Sequence, residues 1–338
     1  MGMIKHKIES TEAFIKLTEK KGGIYITEKD DIEFHVMCSI SIKIEHFKDL
    51  TLSNITFEDD FILQGGRIEN CVQIAKCTFK KRFIFGVVCE KGFWARGVVF
   101  NSYTSFVNGV FKESFHLTGV SNFGPLIFTQ GKYDSFGIFE SNLSHYLDFS
   151  KAEIEYINIK NVTFEKALSF TDVHIKAGAR EAMRILKDQA HKYNDKIAAV
   201  DFYQKEMIAL ESELCSSKGK YSELFVIFMN RISNNHGLSW LRAICFTLLS
   251  GFIFFTLFLL CLDEPYYSFE WKGIEQFIEV HSMTFRYFIE FINPAHKISY
   301  MDNFSPSGWS FIFDLLGRIS IGYGVYQALT SFRKYGFK

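Results

Sequence analysis

Asn54-Ile55-Thr56-Phe57, Lys76-Cys77-Thr78-Phe79, Gly97-Val98-Val99-Phe100 and Asn161-Val162-Thr163-Phe164 repeat one four-residue phrase: a polar residue or glycine, an apolar one, a small or β-branched one, then phenylalanine. Weaker copies are read at Val120-Ser121-Asn122-Phe123 and Asn142-Leu143-Ser144-His145. Starts at 54, 76, 97, 120, 142 and 161 are separated by 22, 21, 23, 22 and 19 residues, and a nearly constant step of about twenty marks a solenoid. Each period holds several short strand-like runs and no helical stripe. One turn of a right-handed β-helix fits it, with Ile55, Cys77, Val98 and Val162 inward and the aromatics stacked coil upon coil. A β-sandwich of evenly spaced strands is the alternative reading of the same runs.

Composition agrees with a packed protein. Of 338 residues 48% are hydrophobic, 38 are phenylalanine and only 4 are proline, which excludes a disordered or collagen-like chain. The 38 Lys+Arg balance 38 Asp+Glu, so no cationic surplus supports general nucleic-acid coating, although a local basic site remains open. Seven cysteines (Cys38, Cys71, Cys77, Cys89, Cys215, Cys245 and Cys261) are scattered without a CxxC pair. They read as small buried hydrophobes in a reducing compartment. The first fourteen residues lack the apolar core of a signal peptide, which places the first half in the cytoplasm.

No catalytic constellation is evident. HExxH, GxSxG and a lysine-bearing phosphate loop are all missing, and His35, His46 and His116 stand isolated. The chain is expected to be no enzyme and to hold no metal or cofactor.

Beyond residue 177 the periodicity changes. Residues 178–215 place Met183, Leu186, Ala190, Ile197, Val200, Met207 and Leu210 at helical spacing, giving one long helix or two broken near Asn194. Its role is a mechanical link. Residues 221–232 are amphipathic and suit the membrane interface. Residues 243–262 carry no charge over twenty positions, enough to cross about 30 Å of hydrocarbon. Arg231 and Arg242 precede this run and Asp263 and Glu264 follow it, which keeps the preceding side cytoplasmic.

A second apolar stretch, 308–332, contains only Asp314 and Arg318 as charges and ends in Arg333 and Lys334. It would return the chain to the cytoplasm. Asp314 and Arg318 share a helical face, either as a structural pair near the outer end or as pore-lining groups. Between the spans, 274–292 is too polar to cross and ends at Asn293-Pro294, so it is re-entrant or interfacial. Ser320-Ile321-Gly322-Tyr323-Gly324 looks like a potassium-channel filter, yet only fourteen residues follow it. The favoured reading is a helix face on which Gly317, Gly324 and Ala328 let neighbouring subunits approach or supply a hinge.

The expected architecture is mixed: a cytoplasmic β-solenoid over 1–177, a helical connector over 178–237 and a membrane domain over 238–338 with spans about 241–262 and 309–332. Two spans cannot enclose a wide path alone, so a conducting form is a homo-oligomer, most simply a tetramer. Candidate pore residues are Asp314, Gly317, Arg318, Ile321, Gly324, Val325 and Ala328, and Glu275, Glu279 and Glu290 would ring an outer vestibule. On the solenoid, Lys80, Lys81, Arg82, Lys91 and Arg96 surround Phe83, Phe93 and Trp94: either a mixture of cations and aromatics suited to phosphate contact and base stacking, or ladder-core aromatics edged by solvated cations.

The repeats, residues 231–242, Asn293-Pro294-Ala295-His296 and residues 321–327 together resemble bacterial membrane proteins with an N-terminal pentapeptide-like β-helix and a C-terminal pair of channel-like helices. The five-residue phase itself is often broken. Within that group the chain resembles the Hailong-type membrane effectors of nucleotide-signal anti-phage systems. The resemblance implies a multi-pass tetrameric channel of the inner membrane, with both termini cytoplasmic. Its signal would be a single-stranded DNA oligomer or other nucleotide made by a partner nucleotidyltransferase, and the open pore would depolarise the infected cell. The alternative is a membrane-anchored scaffold whose solenoid binds a protein.

Overall fold

The computed structural model describes residues 4–20, 23–26, 32–166, 168–217, 219–262, 274–297, 301 and 308–335. They belong to two compact units, Met1–Leu210 and Glu211–Lys338.

The first unit is a β-solenoid. Thr78 and Phe79 lie in parallel register between Thr56-Phe57 of the preceding coil and Val99-Phe100 of the next, and the ladder runs on through Ser121-Asn122, Asn142-Leu143 and Thr163-Phe164. Among the described residues, only Glu19–Lys20 with Gly23–Ile26 pairs antiparallel.

This register sharpens the repeat. In the strong copies the first residue sits in the left-handed region, at φ 59° for Asn54, 51° for Lys76, 60° for Gly97 and 54° for Asn161. The same corner occurs at Gly119 and Glu140, so the weak copies begin at 119 and 140 rather than 120 and 142. Successive corners are then 21 or 22 residues apart. At the second of these weak copies the inward position is taken by Ser141, which the apolar pattern misses. Its hydroxyl donates to the Phe139 carbonyl at 2.7 Å and accepts from Val120 N at 3.0 Å.

The corners deliver the aromatics to stacked columns. Phe57, Phe79 and Phe100 stack at 4.8 and 5.4 Å between ring centroids. Phe93, Phe115 and Phe136 do so at 4.9 and 5.2 Å, and Phe106, Phe128 and Phe149 at 5.3 and 5.2 Å. Ile55, Cys77 and Val98 are buried between them, while Val162 near the last coil is half-buried. Burial pushes the Cys77 thiol up to about 12. Cys215 and Cys245, by contrast, are exposed, so not every cysteine is core.

Both ends of the coil stack are covered, as an edge of unpaired strands requires. At the start, α1 (Thr11–Thr18) begins where Ser10 Oγ accepts from Ala13 N at 3.1 Å and buries Phe14 against Phe57. At the end, α2 (Arg180–Lys192) buries Met183, Leu186 and Ala190 over the last coil. Gly178 makes that approach possible, because a Cβ there would collide with Met183 and Ile157.

Of the two readings the sequence left open, the structure has the broken one: the helix is interrupted at Asn194, φ 57°. The break rephases α3 (Lys196–Cys215), which buries Ala199, Phe202 and Glu206 and leaves Ile197 exposed. Phe202 meets Phe170 edge-on at 5.3 Å, and Glu206 accepts from Lys187 at 2.7 Å. Most of the expected connector therefore belongs to the solenoid's own unit.

One core residue is mismatched. Tyr133 stacks on Phe111 at 5.2 Å, and its buried hydroxyl has no hydrogen-bond partner among the described residues. Tyr133→Phe should stabilise the solenoid by about 1–3 kcal/mol, the cost of an unsatisfied buried donor. Chemical denaturation followed through the β-sheet signal checks this, and a destabilised variant would contradict it.

The second unit contains α4 (Tyr221–Asn234), α5 (Trp240–Leu260), α6 (Ile274–Ile292) and α7 (Gly308–Phe332). α5 starts where Ser239 Oγ accepts from Arg242 N at 3.3 Å, a side-chain N-cap. Among the described residues α5 is the one helix long and apolar enough to cross a membrane, with mean hydropathy 2.4. α7 has the length, 25 residues, but Asp314, Arg318 and Gln327 dilute its composition. Phe288 and Phe291 of α6 pack on Phe255 of α5 at 5.6 and 5.4 Å. Residues 320–324 are helical throughout, not an extended filter.

Candidate functional site

Three successive strands, Cys71–Ala75, Gly92–Arg96 and Ser114–Thr118, align residue for residue. Side chains alternate between faces along a strand, so Val72, Ile74, Phe93, Ala95, Phe115 and Leu117 enter the core. Outside, one row holds Gln73, Trp94 and His116 and the next holds Ala75, Arg96 and Thr118. These residues line a trench of about 520 Å³, within the range of small-ligand sites.

Small residues make the trench. The Trp94 ring lies over Gly92, where a Cβ would stand 2.9 Å from it. On the far side His116 meets Phe139 edge-on at 5.6 Å above Gly137. Arg96 is the one cation among the trench-lining residues and has no ion-pair partner among the described residues. Burial lowers the His116 pKa below its ordinary value, so its ring is neutral near pH 7 and becomes a second cation only in acid.

The sequence-predicted ligand residues divide on this geometry. Trp94 and Arg96 line the trench, and Lys91 is exposed just before the same strand. Phe93 is removed from the site, because it is fully buried and stacked on Phe115. Lys80, Lys81 and Arg82 are exposed but face Glu58, Asp59 and Asp60 one coil earlier, with Lys80 2.9 Å from Glu58 and Lys81 3.4 Å from Asp59. The Arg82 guanidinium beside Asp60 holds that carboxyl below its usual range, and Lys80 does the same for Glu58. This triplet adds little net positive field.

The helical unit has a second polar assembly. The inward face of α7 presents Ser310, Asp314, Gly317, Ile321, Gly324, Gln327 and Ser331, whereas Trp309, Ile312, Leu316, Ile319, Tyr326 and Leu329 are exposed. In water the polarity would be reversed.

Asp314 is buried at 3% exposure. Its carboxylate lies 2.7 Å from His296 Nε2 and accepts from Arg318 Nε at 2.8 Å. His296 Nδ1 in turn lies 2.7 Å from the Asn293 carbonyl oxygen. Toward the other end, Asn230 Oδ1 accepts from Tyr323 Oη and Gln327 Nε2, both at 2.9 Å. Asn234 donates to the Gln327 side chain and accepts from Gly237 N at 2.9 Å.

The glycines on this face are filled from within the chain. A Cβ at Gly317 would stand 2.6 Å from the Phe291 ring, and one at Gly324 would collide with Thr247. Within the chain, these small residues let α5 and α6 pack closely against α7.

Of the candidate pore residues, Asp314, Gly317, Ile321 and Gly324 are buried in this seam, Arg318 and Ala328 sit at its edge, and Val325 is on the exterior. Glu290 lies 3.6 Å from Arg286. The side chains of Glu275 and Glu279 lie outside the described residues. Sequence reasoning missed His296, Asn230, Asn234 and Gln327 as seam residues, although three of them fall within stretches singled out for their resemblance.

No group of three or more His, Cys, Asp or Glu side chains among the described residues is arranged to hold a metal ion. No family model matches the chain, and comparison with curated proteins and with solved structures gave no match.

Proposed function

We propose that this chain is a two-span membrane protein in which the β-solenoid senses a ligand and the helical unit, as a homo-oligomer, responds as an ion channel. The observation that carries the membrane part is the inverted polarity of α7: its ionisable and amide side chains are paired inside and its exposed face is apolar. Intramembrane charges belong in such interiors, and satisfied backbone and side-chain groups are a condition of crossing lipid. On this reading α5 and α7 both cross, the termini share one side, and the preferred signal is a single-stranded DNA oligomer or related nucleotide. Production of that signal by a partner nucleotidyltransferase and depolarisation of an infected cell complete the anti-phage reading.

The trench supports the signal part. Trp94 offers a ring for base stacking and Arg96 an unpaired cation for phosphate. Trp94→Ala should weaken binding of labelled single-stranded DNA to the full-length protein in nanodiscs by about 5- to 150-fold, the equivalent of about 1–3 kcal/mol for a lost stack. Arg96→Glu should also reduce the salt dependence of binding. The double variant Lys81→Glu/Arg82→Glu should change it far less. Equal loss in the double variant would move the site to the charged edge.

Conductance tests the response. Full-length protein in planar bilayers should change its ion current when the oligomer is added or withdrawn. Silence under both conditions favours the second reading, a membrane-anchored scaffold. One observation favours that reading: the polar residues first considered for the pore are occupied in bonds within the chain.

A further inference from the structure

α4 is inverted in the same sense as α7. Its buried residues near the C-terminal end are polar, with Ser233 at 0% and Asn234 at 2% exposure, and Asn230 bonds to α7. Among its exposed residues Tyr221, Phe225, Phe228 and Ile232 recur at spacings of four, three and four, with Tyr221 78% and Phe225 63% exposed, while exposed Ser222, Glu223, Val226 and Arg231 lie off that line. Residues so spaced form one stripe. The sequence shows that the helix is amphipathic and suits a membrane interface, without saying which face other helices cover. The structure shows which face is spoken for.

Fourteen residues make a helix of about 21 Å, too short to cross a bilayer. The chain then turns through a tight corner, where Asn235, His236 and Gly237 have φ of 53°, 55° and 90°, directly into α5. The exposed face of α5 is apolar too, through Leu241, Leu248, Leu249 and Phe252. At the junction, half-exposed Trp240 stacks on Phe332 at 5.3 Å, with exposed Arg242 beside it. Amphipathic rings beside cations are the furniture of a membrane–water boundary. Arg231 marks the polar edge of the stripe: its guanidinium lies 5.9 Å from the Phe228 ring and donates to Glu211 at 2.9 Å.

We infer that the Tyr221, Phe225, Phe228 and Ile232 stripe of α4 is immersed in phospholipid at the boundary between headgroups and acyl chains. Its polar face is held by α7, so α4 is an interfacial shelf attached to the bundle. This rests on the reading that α5 crosses the membrane and is independent of whether the protein conducts. A soluble partner or a second copy fits less well, because α4 leads directly into α5, whose exposed face is apolar, and exposed Lys220 and Arg231 flank the stripe on α4 itself, as anionic lipid favours.

The test uses the full-length chain reconstituted in vesicles of phosphatidylethanolamine and phosphatidylglycerol. Phe225 or, separately, Phe252 is replaced by the photoreactive p-benzoylphenylalanine. After irradiation, intact mass should rise by one phospholipid in both proteins. A phospholipid adduct at position 252 but not at 225 overturns the inference while leaving the span in place. A chain-to-chain adduct at 225 overturns it in favour of a second copy. Absence of a phospholipid adduct at both positions removes the membrane reading itself.

Discussion

Asp314→Ala should destabilise the helical unit by about 3–5 kcal/mol, the usual cost of stripping one partner from a buried ion pair. The side chain is almost completely enclosed, and its two oxygens serve His296 and Arg318. Removing it leaves a guanidinium and an imidazole facing apolar surroundings that include Phe291, whose ring is 5.4 Å from His296. It also unties the 293–296 turn from α7. Thermal unfolding in detergent micelles should show the loss, with faster proteolysis near Asn293. Asp314→Ala/Arg318→Ala should recover part of it, because the orphaned cation is gone. If the single variant melts with the parent, the cluster is incidental.

Phe106→Ala should cost about 3–5 kcal/mol in the solenoid, the range for a large buried aromatic cut to alanine. Its ring touches Phe83, Phe85, Phe93, Phe111, Phe115 and Phe128, at centroid distances from 5.0 to 6.2 Å. These rings come from its own coil and the coils on either side, and a solenoid's stability is largely a sum over neighbouring units. The damage should therefore be local. Amide exchange should accelerate in Phe83–Cys89 and Ser114–Thr118 well before α2 at the far end. A uniform change along the whole solenoid would contradict the nearest-neighbour picture.

The repeat was legible because its corner and inward side chain are local properties, visible at Asn54-Ile55 and Lys76-Cys77. It slipped where Ser141 replaced a hydrophobe by bonding to backbone. Alternation along one strand separates Trp94 from Phe93, and that distinction was also available from sequence. The pairing of residues 80–82 with residues 58–60 was legible in principle, since the 22-residue step puts each cation above an acid. Contacts without a period were not legible. His296 reaches Asp314 across a turn, and Asn230 reaches Tyr323 from another helix. The glycines of α7 announce a close approach, but only the fold says that Phe291 and Thr247 fill it.

A mean hydropathy hides the two-sided character of α7 for a related reason. An average counts Asp314, Arg318 and Gln327 against the helix, although Asp314 and Gln327 are buried on the seam and Arg318 lies at its edge. The exposed stripe alone is apolar. A face-resolved reading of such helices is the better guide when the span carries its own polar core.

The most direct test is the topology of the full-length chain carrying a different tag at each terminus, in membrane vesicles washed with alkaline carbonate and then exposed to protease from one side. The account predicts retention in the membrane, digestion of both tags in inverted vesicles and protection of both in right-side-out vesicles. Digestion of one tag from each side would mean a single crossing, and release by the wash would mean none; either result contradicts the two-span assignment.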